Sequence, residues 1–308
     1  MPRRFPFAVI ALAAASLSAC GTYSMLDDAT TTGSVAQRAA YTQPVGRIYI
    51  FRGIGGKMAT LDLDRLGEKI KRNGVPAEVD EFMNWRGHAE EAIKRYRSET
   101  QHTPIILFGH SAGADIAIEF AERLKEEKIP VSLLITLDPT RLPHGVPGNV
   151  DRFINIYASM NFFGGGNVRS GGEYQGHFAS VDLKNYWEVP HVKLLRIGDL
   201  QNKLIAKIVR VATTAPNLDG QTVPIRYVMP RNEPIELWDS GLPIKAEAGD
   251  TVASIATKYA LPVWAVAQIN NLDPATALQA GQRIVIPRDL DSAPQMSAPL
   301  TSFTAPGR

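Results

Sequence analysis

The segment that most constrains the fold is 105–113, with the sequence Ile-Ile-Leu-Phe-Gly-His-Ser-Ala-Gly. Its first four residues form an apolar run typical of a buried strand, and residues 114–121 continue with the composition of a helix. Where a strand passes into a helix through Gly-x-Ser-x-Gly, the serine is held at a sharp, strained turn with its hydroxyl exposed. The two glycines fit this turn because a side chain at either position would collide with the neighbouring strand or helix. We therefore predict that Ser111 is a nucleophile at the carboxyl end of a strand.

Short apolar strands alternate with helical segments on both sides of this turn. Such alternation is typical of an α/β fold with a mostly parallel sheet that helices cover on both faces. We predict strands at 47–51, 75–82, 104–109, 131–137 and 153–157, and helices at 59–72, 86–98, 112–127 and 196–211. A glycine-rich stretch over 164–172 is predicted to be a loop, either a flap over the site or an ordinary surface loop.

A serine becomes a good nucleophile only when a histidine and a carboxylate assist it. Asp138 directly follows the strand predicted at 131–137, which places it at the edge of the sheet where Ser111 emerges. Asp182 is the second candidate for the acid. His191 follows Val-Pro and precedes an apolar helical segment, in the chain order serine, acid, histidine, and His177 is the alternative base.

An oxyanion hole requires two backbone N–H groups that point at the developing negative charge. One is expected from Ala112, the residue after the nucleophile. The other is expected from the glycine-rich turn after the first strand, where Ile54 is our first choice and Gly53 and Gly55 are close alternatives.

Residues 46–212 resemble a compact α/β-hydrolase, nearest to small lipase and thioesterase-like members. The resemblance rests on the Gly-His-Ser-Ala-Gly motif, Asp138, His191 and the turn at 53–56. It implies hydrolysis of an ester or thioester through an acyl-enzyme at Ser111.

A second unit covers residues 244–288. Val252, Ile255, Ala256 and Tyr259 share one face of a predicted helix, and the Ile-Val-Ile strand near the end can pair with an opening strand around 244–247. Together with Gly-Asp-Thr, Ile-Asn-Asn-Leu and the ending Gly-Gln-x-Ile-x-Ile-Pro, this pattern resembles the LysM module, a small βααβ fold.

The resemblance to LysM implies binding of glycans that contain N-acetylglucosamine, such as peptidoglycan. It implies a groove between two loops, formed here by Gly249, Asp250, Thr251, Val252, Asn270, Asn271 and Leu272. Asp250 and Asn270 have an alternative role, because both residue types also cap helices and turns.

The amino terminus has the pattern of an export signal, with Arg3 and Arg4 before an apolar stretch that is too short to span a bilayer. Leu-Ser-Ala-Cys at 17–20 resembles the lipobox of bacterial lipoproteins, which implies that residues 1–19 are a signal peptide and that Cys20 carries lipid. We expect a protein anchored in the bacterial cell envelope, in the outer membrane facing the periplasm. The alternative is an ordinary signal peptide cut near Ala19.

The remaining segments are predicted to be a flexible tether at 20–45, an irregular linker at 213–243 and a disordered tail at 289–308. Without residues 1–19 the chain has 31 basic and 31 acidic residues, so its charge gives no argument for a nucleic-acid partner. No metal or other cofactor is expected. We expect an acyl-ester hydrolase; the alternatives are an esterase that removes O-acetyl groups from peptidoglycan, and a non-enzymatic tether between outer membrane and peptidoglycan.

Overall fold

The computed structural model describes residues 45–289, apart from 143–144, 163, 167, 171, 173, 215–217 and 219–220. The predicted signal peptide, Cys20 and nearly all of the predicted tether and tail lie outside these residues. Within the described part of the chain, no helix is both long enough and apolar enough to cross a membrane.

The first domain is built on a sheet of seven strands, and every neighbouring pair in it is parallel. Their order across the sheet is β2-β1-β3-β4-β6-β8-β9, and β5 and β7 form a separate short ladder. The strands are β1 (Arg47–Arg52), β2 (Ala77–Glu81), β3 (Ile105–His110), β4 (Leu133–Leu137), β5 (Gly145–Val146), β6 (Arg152–Tyr157), β7 (Arg169–Ser170), β8 (His177–Asp182) and β9 (Ile225–Val228).

Helices cover both faces of this sheet, as the alternating pattern predicted. The helices of this domain are α1 (Gly56–Ala59), α2 (Leu61–Arg72), α3 (Trp85–Ser98), α4 (Ala112–Glu126) and α5 (Leu200–Thr213). Apolar residues of α2 and α5 are buried against one face, and those of α3 and α4 are buried against the other. The α/β fold predicted from the sequence is therefore present, and the predicted elements differ from the observed ones by a few residues at their ends.

The order of strands reverses between β1 and β3. From β1 the chain passes to β2 on one side, and β3 lies on the other side. In open parallel sheets this reversal opens a crevice at the carboxyl ends of the strands, where ligands bind. Ser111 follows β3 and Gly53 follows β1, so both lie at this crevice.

The second domain has the βααβ order predicted for residues 244–288. Its elements are β10 (Ser240–Lys245), α6 (Val252–Lys258), α7 (Val263–Asn270) and β11 (Arg283–Arg288), and the two strands pair antiparallel. Its own apolar core includes Val252, Ile255 and Val266. Thr251 caps α6 in a reciprocal pair of hydrogen bonds with Ser254, which fixes the start of this helix.

Part of the region predicted as an irregular linker, 213–243, belongs to the seven-stranded sheet. It contains the edge strand β9, which the surrounding prolines concealed in the sequence. The free edge of β9 is covered by the second domain, since the Gln268 side chain accepts from Val228 N (3.0 Å) and donates to Val228 O (3.1 Å). An amide side chain thereby replaces a neighbouring strand and protects an edge that would otherwise be open to pairing.

The two domains also contact each other through aromatic side chains and ion pairs. Trp264 of α7 packs against Tyr227 of β9 and Trp238, with ring centroids 6.1 and 5.8 Å apart. Lys207 of α5 bonds to Asp239 at 2.7 Å and Asp289 at 2.6 Å. The second domain is therefore packed onto the hydrolase-like domain through an extensive contact, where the sequence predicted a linker between them.

Candidate active site

Ser111 lies at the turn between β3 and α4 with φ 56° and ψ −129°. This is a strained conformation for a residue with a side chain. A Cβ atom at Gly109 would lie 2.1 Å from the carbonyl oxygen of Gly113, and one at Gly113 would lie 2.3 Å from the carbonyl oxygen of Phe51. The steric reason predicted for both glycines of the motif is confirmed.

The turn after β1 approaches Ser111 closely. A Cβ atom at Gly53 would lie 2.6 Å from Ser111 Cβ and 3.1 Å from its Oγ, so only glycine permits this approach. Ala112 is the first residue of α4, and its N–H therefore has no partner within the helix. Ile54 directly follows Gly53, and Ala112 directly follows Ser111. The function of their N–H groups as an oxyanion hole stays a prediction.

Asp138 and His191 are joined by a hydrogen bond. Asp138 follows β4 with its side chain fully buried, and His191 begins a 3₁₀ helix that ends at Arg196. The distance between His191 Nδ1 and Asp138 Oδ2 is 2.5 Å. A carboxylate in this position fixes the imidazole ring and leaves its Nε2 as the basic nitrogen.

Three further donors hold the Asp138 carboxylate. Oδ1 accepts from the N–H groups of Ala158 at 3.0 Å and Gly165 at 2.7 Å, and Oδ2 accepts from Asn161 Nδ2 at 2.7 Å. Burial opposes ionisation of Asp138, but the hydrogen bonds from His191, Ala158 and Asn161 outweigh it and lower the pKa of this carboxyl. Asp138 is therefore an anion in contact with the His191 ring.

Residues 164–166 lie under this pair and are buried, so they are neither a flap nor an ordinary surface loop. A Cβ atom at Gly164 would lie 2.5 Å from Asp138 Oδ2 and 2.8 Å from His191 Nδ1. The roles of Gly164 and Asn161 beside Asp138 are not among the predictions from the sequence. The available signal was the run of three glycines at 164–166, which follows β6 after six other residues.

His110 is a second histidine in contact with His191. Its Nε2–H donates to the backbone oxygen of His191 at 3.1 Å, and the two ring centroids are 4.5 Å apart. Burial, together with the nearby His191, lowers the pKa of His110 to about 4, so His110 is neutral at physiological pH. His110 therefore ties the serine turn to the segment that carries His191.

Ser111 and His191 lie at the same edge, but no hydrogen bond joins Ser111 Oγ to His191 among the contacts of the described residues. Hydrogen bonds between a nucleophile and its base are often long without substrate and shorten when it binds. The cavity lined by His110, His191 and Leu137 has a volume of about 10 Å³, which is too small for an acyl group.

The alternative acid and base lie elsewhere. His177 is at the amino end of β8, where its Nδ1 is 3.0 Å from Ser240 Oγ. The Asp182 carboxylate accepts hydrogen bonds from Ser159 Oγ at 2.7 Å and from the Ser159 backbone N–H at 3.1 Å. Asp182 therefore holds the segment that follows β6. The geometry favours Asp138 and His191 over both alternatives.

Among the residues that the structure describes, one group of side chains has ligand atoms close enough to hold a metal ion, namely Glu78, His88 and Glu91. Glu78 also pairs with Arg47, and His88 Nε2 is 2.8 Å from Asp80 Oδ2. These contacts account for the cluster as a network of ion pairs on β2 and α3, on a different part of the sheet from Ser111.

The residues predicted to bind glycan have different positions in the second domain. The Val252 side chain is buried in the core of the module. Asn270 donates to the oxygens of Val266 and Val285 and accepts from Val285 N, so its amide is used within the module.

The other predicted glycan residues lie nearer the surface. Asp250 accepts from Glu247 N and Ser254 Oγ, which is the capping role considered as its alternative. Gly249 and Asn271 adopt positive φ values of 87° and 52°, Thr251 caps α6, and Leu272 packs against the module's core. Glycan binding at these loops stays a prediction.

Comparison with known families gives two matches. The model of the Thioesterase domain matches residues 49–149, and the model of the LysM domain matches residues 244–287. The chain carries a thioesterase-type α/β-hydrolase domain and a C-terminal LysM domain. The first match includes the serine turn and Asp138 but ends before His191, which the fold places beside that carboxylate.

Comparison with solved structures gives matches of low sequence identity. A hydrolase of the alpha/beta superfamily from Xanthomonas campestris pv. campestris is 15% identical, with a TM-score of 0.32, over 54% of this chain and 97% of its own. The NocB thioesterase domain, in a covalent complex with a fluorophosphonate nocardicin G analogue, is 13% identical, with a TM-score of 0.32, over 55% of this chain and 95% of its own. No curated protein sequence gives a match.

Proposed function

We propose that the chain is an envelope-anchored serine hydrolase that cleaves an acyl ester or thioester and is targeted to peptidoglycan by its LysM domain. The observation that carries the proposal is the 2.5 Å contact between His191 Nδ1 and Asp138 Oδ2, at the sheet edge where the strained Ser111 emerges. Lipid on Cys20 is part of the proposal and provides the membrane anchor.

In this reaction, His191 Nε2 takes the proton of the Ser111 hydroxyl as Oγ attacks the acyl carbon. The negative charge on the carbonyl oxygen is received by the N–H groups of Ala112 and Ile54. The tetrahedral intermediate collapses, and the leaving alcohol or thiol takes the proton from His191. Water then attacks the acyl-enzyme by the same steps and releases the acid. Asp138 stays ionised and stabilises the imidazolium in both halves of the reaction.

Hydrolysis of nitrophenyl esters and acyl-thioesters of increasing chain length tests the enzymatic part of the proposal. We expect turnover by the full chain and its loss in Ser111→Ala and His191→Ala. His102→Ala is the matched control, because His102 is an exposed histidine whose ring stacks on Tyr96 away from the site. Equal turnover by the wild-type chain and Ser111→Ala would contradict the proposed nucleophile.

Co-sedimentation with purified peptidoglycan tests the targeting. We expect binding by both the wild-type chain and Ser111→Ala, because the predicted glycan loops belong to the LysM domain. Release of acetate from O-acetylated peptidoglycan, without turnover of longer acyl esters, would instead favour the O-acetylesterase. Peptidoglycan binding without any turnover would favour the non-enzymatic tether.

A further inference from the structure

Eight large apolar side chains are exposed at the carboxyl edge of the sheet, and we call this set the apolar edge. Each lies on a segment that follows the carboxyl end of a strand of the main sheet. Met58 and Phe162 are the most exposed, at 94% and 87%. The apolar edge consists of Ile54, Met58, Leu61, Met83, Leu142, Met160, Phe162 and Trp187. Exposed apolar groups gathered on one surface are typical of an interaction site.

The apolar edge is centred on the nucleophile. Its members follow β1, β2, β4, β6 and β8, and Ser111 follows β3 between them. Met83 follows β2 and Trp187 follows β8, which are five strand spacings apart, or about 24 Å. A partner that covers this surface therefore lies directly over Ser111.

The same edge carries an excess of positive charge. On the segments that follow β1, β2, β4, β6, β8 and β9, up to the next strand or the first turn of the next α-helix, the exposed charged residues that the structure describes are mostly basic. The basic residues are Lys57, Arg86, Arg141, Lys184, Lys193, Arg196 and Arg231, and the acidic residues are Glu188, Asp199 and Glu233. Arg231 pairs with Glu188, and Arg196 pairs with the buried Asp62. Because the chain without residues 1–19 has equal numbers of basic and acidic residues, this excess is local.

We propose that the apolar edge docks onto an anionic phospholipid surface, and that the acyl chain of the substrate reaches Ser111 from that surface. Flexible methionines together with Phe162 and Trp187 fit the boundary between headgroups and acyl chains, and surrounding lysines and arginines fit anionic headgroups. The proposal rests on the proposed function, because it names the source of the acyl substrate for the same site.

Trp187 is an intrinsic probe of this docking. It is 69% exposed, whereas Trp85 and Trp238 are buried and Trp264 packs in the domain contact. The full chain is mixed with phosphatidylglycerol vesicles whose acyl chains carry bromine, which quenches tryptophan only on contact. We expect these vesicles to reduce the tryptophan emission of the wild-type chain and of Ser111→Ala. In Trp187→Phe, whose remaining tryptophans are not on the apolar edge, we expect the vesicles to reduce the emission only slightly.

Charged substitutions on the two ends of the sheet provide the matched comparison. Met58→Asp combined with Phe162→Asp is expected to abolish the quenching of Trp187. Val45→Asp, which also places a carboxylate at an exposed apolar residue but lies before β1, is expected to retain it. The amino-terminal segment is common to all variants, so the differences report on the apolar edge. Vesicles of zwitterionic phosphatidylcholine are expected to quench less, and added salt is expected to weaken the quenching.

The two proposals fail in different ways. Hydrolysis of a soluble short-chain ester without quenching of Trp187 would overturn the docking and leave the proposed function intact. Quenching without any hydrolysis would overturn the proposed function and leave the docking intact. Absence of quenching together with concentration-dependent self-association, abolished by Met58→Asp, would assign the apolar edge to a second copy of the chain and overturn the lipid proposal.

Discussion

Gly164→Ala is a perturbation whose effect can be worked out from the site. The added methyl group would lie 2.5 Å from Asp138 Oδ2 and 2.8 Å from His191 Nδ1, well inside van der Waals contact. Asp138 is held by the N–H groups of Ala158 and Gly165, so the least constrained response is displacement of the His191 ring. The substitution therefore acts on the hydrogen bond between acid and base without removing either residue.

The expected loss of activity follows from the free energy of that hydrogen bond. A hydrogen bond to a charged group contributes about 1.5–3 kcal/mol, so weakening it in the transition state lowers kcat/KM roughly 10- to 150-fold. If the histidine ring also adopts the wrong tautomer or orientation, the loss rises towards about 10⁴-fold. Since the methyl group does not touch the proposed oxyanion donors, turnover is expected to stay measurable.

Steady-state hydrolysis of a soluble ester measures this effect, with circular dichroism as a check on folding. Gly172→Ala is the matched control, since a Cβ atom there meets no atom within 4 Å. We expect Gly172→Ala to have wild-type kcat/KM. A folded Gly164→Ala protein with wild-type kcat/KM would refute the assignment of Asp138 and His191 as the acid and base.

Three further predictions concern stability. Burial lowers the pKa of His177 to about 4 from an ordinary value of 6.5, so between these values the unfolded chain binds a proton that the folded chain does not. This group should therefore cost about 2 kcal/mol of stability between pH 7 and pH 5, and urea unfolding of His177→Asn should show a loss that is smaller by this amount, while the similar contribution of His110 remains. Lys207→Met removes the buried cation between the buried Asp239 and the partly exposed Asp289, and it should cost about 3–5 kcal/mol. Lys203→Met, at a more exposed ion pair, should cost under about 1 kcal/mol, and equal unfolding midpoints for the two variants would contradict this. Asn270→Ala removes hydrogen bonds inside the LysM domain and should lower the thermal unfolding midpoint of that domain. Loss of glycan binding at an unchanged midpoint would instead indicate that Asn270 contacts the glycan directly.

The acid can be predicted from the sequence because parallel strands end at a common edge and Asp138 directly follows one of these strands. The structure places Asp138 in contact with His191, the predicted base. The predicted base is harder to place from the sequence, since His191 lies on a 3₁₀ helix after β8, a strand that is absent from the predicted elements. The six residues of β8, His-Phe-Ala-Ser-Val-Asp, are all buried although half of them are polar, because both faces of the sheet are covered there.

Other features depend on contacts between distant parts of the chain. The edge strand β9 has four residues between prolines, and its place in the sheet is stabilised by Gln268 and Trp264 of the LysM domain. Gly164 must be glycine because of atoms of Asp138 and His191, which are close in space and distant in sequence. Local periodicity contains no information on either contact.

The measurement that tests the central claim most directly is labelling of the full chain with a fluorophosphonate probe, followed by peptide mapping of the adduct. Activated serines react with such probes and ordinary serines do not. We predict an adduct on Ser111, no labelling of Ser111→Ala, strongly reduced labelling of His191→Ala and full labelling of His102→Ala. Absence of labelling in the folded wild-type chain, or an adduct that persists in Ser111→Ala, would contradict the account of this protein as a serine hydrolase.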